Sequence, residues 1–358
     1  MERNLVQELT ARNKKIIEAV IEKAKKVCPD SIALIGIAGS FCSGDFYEKS
    51  DLDLCIVIND DDGWKIGSCF ILDDVAHDIY CTYWHQLEEM AQYNNPYVTK
   101  LLHLDIVYCA DDKYLKKYMD LREKVTKILN EPFGIDDLKK VKNHYDSALK
   151  AYGKMMIEDE YTNCKYASAD VIYYIEFIIY MVNKAYIKRG VKRIPEEIYE
   201  LKKLPLYFNE YYYQSIKADT LESIKENVTM LIKCVTKYLN DVEKETVKKK
   251  NVNGDRLKGM YEEIFSNWRN KMYYAAENNE PYLSFMSAAS CQMVYDDLYE
   301  DCNVKRINLM KDFKINDLRK SAEAYDSAME ECKKLYEENG VKVVKYKNIT
   351  EFTEDYLK

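Results

Sequence analysis

The chain has 358 residues, of which 47% are apolar and 32% charged, and its formal net charge is −8. This composition is typical of a globular protein, and the length favours two domains. No run of about 18 apolar residues is free of charge, which argues against a membrane protein, and the start has no apolar signal segment, so we expect a cytoplasmic protein.

The predicted elements begin with a helix. Apolar residues recur at helical spacing over 5–28, and the pattern ends at Pro29-Asp30. Short apolar or β-branched runs then predict strands, followed by one more helix. The strands span 32–37, 52–58, 77–83 and 104–109, and the helix spans 111–129.

Pro132, Phe133 and Gly134 interrupt this pattern, and after them the periodicity is almost entirely helical. The predicted helices span 136–156, 165–189, 195–203, 208–247, 255–278, 282–301 and 315–338. We therefore predict an α+β protein: a small mixed β-sheet domain over residues 1–132, followed by an all-α helical-bundle domain over residues 133–358.

The two predicted domains differ in charge. Residues 1–132 contain 16 Lys and Arg against 23 Asp and Glu, whereas the rest of the chain is nearly balanced. Attraction to a nucleic acid needs a basic surface, so a nucleic-acid partner is disfavoured, as is a membrane. A cationic small molecule is favoured instead.

Two helical segments resemble each other at an offset of 180 residues. Phe133-Gly-Ile-Asp-Asp-Leu-Lys-Lys and Tyr145-Asp-Ser-Ala return as Phe313-Lys-Ile-Asn-Asp-Leu-Arg-Lys and Tyr325-Asp-Ser-Ala. Convergence of two similarly capped amphipathic helices is the favoured interpretation, and a duplicated helix is the alternative.

A polar stretch between the first two predicted strands carries the strongest chemical signal. It reads Gly39-Ser40-Phe-Cys-Ser-Gly and, after five more residues, Ser50-Asp51-Leu-Asp53-Leu. Residues two apart on a strand share a face, so the two carboxylates are forced together while the leucines enter the core. Paired carboxylates need a compensating cation, and oxygen ligands beside a phosphate suit Mg²⁺. The glycine and serine can bind phosphate oxygens through backbone N–H and hydroxyl groups.

Either half of this pattern alone is typical of an ordinary loop or a solvated turn. Together, as Gly-Ser-x(3)-Gly followed by Ser-Asp-x-Asp and an apolar residue, they resemble the signature of the polymerase-β-like nucleotidyltransferase superfamily. The order of a small catalytic module and a helical domain resembles bacterial aminoglycoside and lincosamide nucleotidyltransferases. The motif likeness covers about residues 30–130, and the helical part is similar only in general character.

The resemblance implies a third carboxylate on a later strand, next to the first two. Asp78 is our candidate because its strand resembles an edge element of that fold, and Asp105 is the rival. Many members of the superfamily carry a basic residue where Ser43 stands in this chain. Neutralisation of phosphate must then come from elsewhere, and Lys49 is the candidate.

The kanamycin-modifying members place a general base early in the helical domain and a lysine four residues later. Asp146 and Lys150 reproduce that spacing, although it is also common on solvated helices. Glu176 is the alternative base, because a carboxylate within an apolar helix is costly without a role or a partner.

The resemblance implies an antibiotic-resistance enzyme that transfers AMP from ATP to a hydroxyl of a small cationic, aminoglycoside-like acceptor. Two Mg²⁺ ions would be bound by Asp51, Asp53 and Asp78, and the nucleotide by Gly39, Ser40, Ser50, Lys49 and Lys150. Two alternatives stay open: nucleotidyl transfer to a protein or RNA, as in toxin–antitoxin systems, and a catalytically silent nucleotide-binding module. A homodimer is also compatible with the sequence.

Overall fold

The computed structural model describes residues 2–358, except for the side chains of residues 2–5 and 266. The chain forms two compact units, Met1–Val247 and Lys248–Lys358. The first unit contains six strands: β1 (Ile32–Ile37), β2 (Leu54–Ile58), β3 (Ser68–Leu72), β4 (Val75–Ile79), β5 (Cys81–Tyr83) and β6 (Asp105–Cys109).

The other long elements of secondary structure in both units are helices. Those of the first unit are α1 (Glu2–Val27), α2 (Gly39–Ser43), α3 (Trp84–Met90), α4 (Thr99–Leu102), α5 (Asp112–Asn130), α6 (Ile135–Ile157), α7 (Tyr161–Val182), α8 (Ile194–Tyr199), α9 (Phe208–Lys217) and α10 (Leu221–Thr246). Those of the second are α11 (Gly254–Leu257), α12 (Met260–Ile264), α13 (Asn270–Asn278), α14 (Pro281–Asp301), α15 (Leu318–Glu338) and α16 (Ile349–Tyr356). Among residues 2–358, no helix is both long and apolar enough to cross a membrane.

The strands form one mixed sheet and one separate hairpin. In the sheet the order is β5-β2-β1-β6; β1 is antiparallel to β2 and β6, and β2 is parallel to β5. Strands β3 and β4 pair only with each other. The predicted α+β class, with a small mixed sheet before a helical region, is confirmed.

The two central strands are buried on both faces, which is why their sequences are continuous apolar runs rather than alternating ones. One face of the sheet, including Ile35 and Ile56, packs with α1. The other face, including Leu34 and Val57, shares a single core with helices α3 to α10.

Because of this shared core, the boundary between the two compact units differs from the boundary predicted from the sequence. The predicted boundary at 132/133 marks a change in secondary structure, but α6 to α10 belong to the same compact unit as the sheet. The structure divides at Val247 and Lys248, where this core ends.

Two predicted elements differ in ways that affect the site. The strand predicted over 77–83 is two strands that belong to different sheets, because β4 pairs with β3, which was not predicted. The helix predicted over 165–189 ends at Val182. There the Asn183 side-chain amide donates to the Ile179 and Lys203 carbonyls, both at 2.8 Å, and the following residues form a loop.

Candidate active site

A cavity of about 730 Å³ in the first unit contains most of the predicted site residues. Those that line it are Gly39, Ser40, Lys49, Ser50, Asp51, Asp53 and Asp78. They come from α2, from the segment before β2 and from β4, so the fold brings together residues that are up to 39 positions apart in the sequence.

The segment with the two aspartates is extended and alternates as predicted. Leu52 and Leu54 are buried, whereas Asp51 is half-buried and Asp53 faces the cavity. Strand β2 begins only after the second aspartate. The carboxylates therefore lie in the extended segment that enters the strand.

Three hydrogen bonds to backbone atoms hold this segment. The Ala38 N–H donates to the Asp53 carbonyl at 2.9 Å, and the Leu52 N–H donates to Nδ1 of His77 at 3.3 Å. From α1, Nη2 of Arg12 donates to the Ser50 carbonyl at 2.7 Å. The sheet, the hairpin and the first helix thus each fix the position of the carboxylates.

Asp53 is the electrostatically strained member of the pair. Its pKa is raised above the ordinary aspartate value, first by desolvation of the carboxylate and then by the charge of Asp51. The charge of Lys100 and a hydrogen bond from the Ser40 backbone N–H oppose this increase in pKa but do not cancel it. A bound cation would relieve the repulsion between the carboxylates.

Gly39 allows the Asp53 carboxylate to lie against the backbone. Its φ is +66°, a left-handed conformation that side chains other than glycine rarely adopt. A Cβ atom at this position would lie 2.6 Å from Cγ of Asp53, which is a steric overlap. The glycine is therefore required by the position of the carboxylate as well as by the turn.

Asp78 reaches the cavity because β4 alternates between buried and exposed residues. Val75, His77 and Ile79 are buried, and Asp78 is exposed and lines the cavity. Its rival Asp105 begins β6, opposite Ile37, and is not among the residues that line the cavity.

His77, whose role the sequence did not show, connects the hairpin to the aspartate segment. It is fully buried, stacks on Phe70 and accepts the Leu52 N–H. Burial, and then the positive charge of Arg12, lower the pKa of His77. Among the described residues its Nε2 has no hydrogen-bond partner.

The cavity also has a basic wall that the sequence analysis missed. Part of it is the loop after α7, which we call the basic loop and define as residues 188–193, Lys-Arg-Gly-Val-Lys-Arg. Residues 188–192 and Lys100 of α4 line the cavity. Four basic residues in six positions were a visible signal, but the predicted helix over 165–189 obscured it.

Comparison with known proteins agrees with this geometry. Residues 13–133 match the family described as Nucleotidyltransferase domain. The chain contains a nucleotidyltransferase domain. This domain includes Gly39, Asp51, Asp53 and Asp78, whereas the basic loop lies outside it.

The fold of the chain has a weak likeness to a solved structure. One solved structure that resembles the chain is that of a nucleotidyltransferase-like protein from Exiguobacterium sibiricum 255-15, at 11% identity over 64% of this chain and 80% of that one. Its TM-score of 0.32 is too low to support an argument. No curated protein matches the chain.

The acidic residues of the nucleotidyltransferase domain do not form a complete metal site by themselves. Among residues 6–265 and 267–358, whose side chains the structure describes, no three His, Cys, Asp or Glu side chains form a group that could hold a metal ion. Asp51, Asp53 and Asp78 thus share a cavity without forming a closed cage. This fits Mg²⁺, which proteins commonly bind through one or two carboxylates together with water and substrate phosphates.

Lys49 is less free than the sequence suggested. It lines the cavity of the nucleotidyltransferase domain, but its Nζ donates to the Asp73 carbonyl at 3.2 Å and lies 4.0 Å from the Asp74 carboxylate. Both aspartates have positive φ, as expected for the hairpin turn between β3 and β4. Lys49 therefore connects this turn to the aspartate segment.

The candidate bases lie outside the cavity. Asp146 and Lys150 are exposed on α6, and neither is among the residues that line the cavity. Glu176 is buried in α7, where it accepts a 2.6 Å hydrogen bond from the Tyr212 hydroxyl, and burial raises its pKa to about 7. Its partner is therefore a core tyrosine.

Proposed function

We propose that this nucleotidyltransferase domain transfers AMP from ATP to a hydroxyl of a small acceptor. The observation that supports this best is the convergence of Asp51, Asp53 and Asp78 with Gly39 and Ser40 in one cavity. The family match supports the general reaction class. The choice of ATP as the donor and of a small molecule as the acceptor goes beyond this family match.

Each side chain has a defined task in the proposed reaction. Asp51 and Asp53, with Asp78 of β4, would hold two Mg²⁺ ions together with the triphosphate. Bound Mg²⁺ stabilises charge on phosphate oxygens and lowers the pKa of a coordinated hydroxyl. Ser40 and Ser50 orient the phosphates, and Gly39 leaves room for the Asp53 carboxylate.

The proposed acceptor is a small, amine-bearing molecule with several hydroxyl groups. The excess of acidic residues over 1–132 would draw a cationic molecule towards this domain. Exposed Tyr47 and Tyr80 and half-buried Tyr97 also line the cavity and offer rings against which a base or sugar can pack.

The test is pyrophosphate release from labelled ATP with Mg²⁺ and a panel of aminoglycosides and lincosamides. We expect release with at least one acceptor and its loss in Asp53→Asn, which keeps the side-chain volume. The other three nucleoside triphosphates would establish donor preference. Absence of release with every donor and acceptor would contradict transfer to this class of acceptor.

A second candidate function is a catalytically silent nucleotide-binding module, in which the cavity holds a nucleotide without Asp51, Asp53 and Asp78 binding Mg²⁺. A titration of ATP with and without Mg²⁺, comparing the wild type with Asp53→Ala, separates the two functions. Equal affinities would favour the silent module, and a metal-dependent loss in the variant would favour the transferase.

A further inference from the structure

The basic loop is built into the cavity by contacts to two other parts of the first unit. Arg193 makes a two-pronged ion pair with Asp45, with Nε to Oδ2 at 2.8 Å and Nη2 to Oδ1 at 2.9 Å. Asp45 follows Gly44, the last glycine of the Gly-Ser motif. An ion pair thus connects the basic loop to the residue that follows the Gly-Ser motif.

Glu197 of α8 holds the other end of the loop. Its side chain is buried, with 7% of the residue surface exposed. It accepts four hydrogen bonds, from the Tyr180 hydroxyl, the Lys188 and Arg189 N–H groups and Nε of Arg189, at 2.9 to 3.1 Å. A buried carboxylate with this many donors fixes the backbone of the segment that it binds.

The four basic residues of the loop fall into two pairs. The arginines are used within the protein, because Arg189 binds Glu197 and Arg193 binds both Asp45 and Glu196. The two lysines make no strong ion pair within the described part of the chain and can bind a ligand.

The remaining contacts of the lysines are weak. Nζ of Lys192, on a side chain that is about half exposed, lies 3.8 Å from an Asp45 oxygen, a contact that contributes little. Among the described residues, Lys188 pairs with no carboxylate, and its Nζ lies 5.6 Å from the centre of the Tyr186 ring. Two ammonium groups are therefore presented to a ligand by a fixed backbone.

We propose that the basic loop is a polyphosphate-binding site, in which Lys188 and Lys192 bind the terminal phosphates of the donor and Glu197 is a positioning residue. The inference rests on the proposed function for the identity of the donor. Its chemistry is independent of that identity: ammonium groups and backbone N–H groups on a fixed loop bind the oxygens of a linear polyphosphate. The site explains how phosphate charge is neutralised although Ser43 occupies the usual basic position.

Binding of inorganic tripolyphosphate to the full chain tests the site without any catalysis. Isothermal titration of the wild type is compared with that of a Lys188→Ala/Lys192→Ala variant. We expect each lysine to account for about a tenfold change in affinity, the size of one charge-assisted hydrogen bond. Lys202→Ala removes an exposed lysine that lies outside the cavity and should bind like the wild type. Unchanged affinity in the double variant would overturn the proposal.

The positioning role of Glu197 has its own readout. In Glu197→Gln the amide cannot accept all four hydrogen bonds, so we expect weaker tripolyphosphate binding and a higher KM for ATP, with unchanged binding of AMP. Tyr180→Phe removes one donor and leaves the carboxylate charged; if Glu197→Gln does not fold, this variant should still bind tripolyphosphate more weakly. Equal losses for tripolyphosphate and AMP, or no loss in either variant, would contradict the role.

The two proposals fail in different ways. A wild-type chain that binds tripolyphosphate through the lysines but releases no pyrophosphate supports the site and contradicts the transferase. A chain that releases pyrophosphate, and whose tripolyphosphate affinity is insensitive to both lysines, contradicts the site alone.

Discussion

At the scale of single residues, position 39 has no room for a side chain, because a Cβ atom there would overlap the Asp53 carboxylate. We expect Gly39→Ala to displace Asp53 and to reduce nucleotide transfer by at least about tenfold, because an error of 1 Å in positioning can cost that much or more. The measurement is pyrophosphate release alongside a thermal melt.

Gly44→Ala is the matched control for this variant. Its φ is also left-handed, at +74°, but a Cβ atom there would have no neighbour within 4 Å. Both variants carry the same kind of backbone strain, of about 1 kcal/mol. Equal activity in the two variants would show that the overlap with Asp53 has no functional consequence.

Glu176 makes stability depend on pH. Burial raises its pKa from 4.5 to about 7, so folding favours the protonated form. Its stabilising contribution is complete below pH 4.5 and is lost as pH rises through about 7, by up to about 3 kcal/mol. Glu176→Gln stays neutral, and urea denaturation should show that it is more stable than the wild type at pH 8 but not at pH 4.5.

The same variant distinguishes a structural Glu176 from a general base. Because the carboxyl bonds to Tyr212 and lies outside the cavity lining, we expect Glu176→Gln to retain nucleotide transfer. Loss of kcat with an unchanged KM for ATP would instead assign it the role of base.

Site residues were easier to predict from the sequence when the residues that fix their position lie close to them in the chain. Asp51 and Asp53 belong to one local pattern, whereas Asp78 came from the resemblance, which implies a third carboxylate on a later strand. Lys188 could not be placed, because its backbone is fixed by Glu197 and its position in the cavity depends on the contact between Asp45 and Arg193. No periodicity reports such contacts.

At the scale of secondary-structure elements, the end of α7 decides whether the basic loop exists. Asn183 ends the helix with three side-chain hydrogen bonds, two donated to carbonyls and one accepted from the Lys203 N–H at 2.8 Å. Asn183→Ala leaves the Lys203 groups without this partner. We expect the free energy of unfolding to fall by about 1–3 kcal/mol in urea denaturation.

A substitution elsewhere on an exposed turn of the same region, such as Lys202→Ala, should leave that free energy unchanged. If Asn183→Ala is equally neutral, the helix ends for another reason.

Periodicity located β1, β2 and most long helices, because their apolar residues face one core. It missed β3, most of which is exposed, and the end of α7, because apolar residues continue past Val182 to Ile187. Hydrogen bonds to a segment twenty residues later end that helix. A local pattern cannot contain this information.

At the scale of the whole molecule, the division at Val247 predicts which fragment folds. A fragment of residues 1–247 keeps the shared core and the cavity, so we expect cooperative unfolding and tripolyphosphate binding similar to that of the full chain. Calorimetric melting and isothermal titration are the measurements.

A fragment of residues 1–132 is the control, since it ends at the boundary that the sequence suggested. It lacks α6 to α10 and would expose the apolar sheet face that includes Leu34 and Val57. We expect it to aggregate or to melt without cooperativity. A stable fragment of 1–132 together with an unstable fragment of 1–247 would contradict the division.

The ion pair between Asp45 and Arg193 also has a consequence for biosynthesis, since its partners are 148 residues apart. At about 5–20 residues per second, a ribosome adds the arginine roughly 7–30 s after the aspartate. Before Arg193 is added, the nascent chain carries Asp51, Asp53 and Asp78 but lacks the proposed polyphosphate-binding loop. Translation products that end before Arg193 should therefore bind cellular nucleotides more weakly than longer ones, because the basic loop has not yet docked on Asp45.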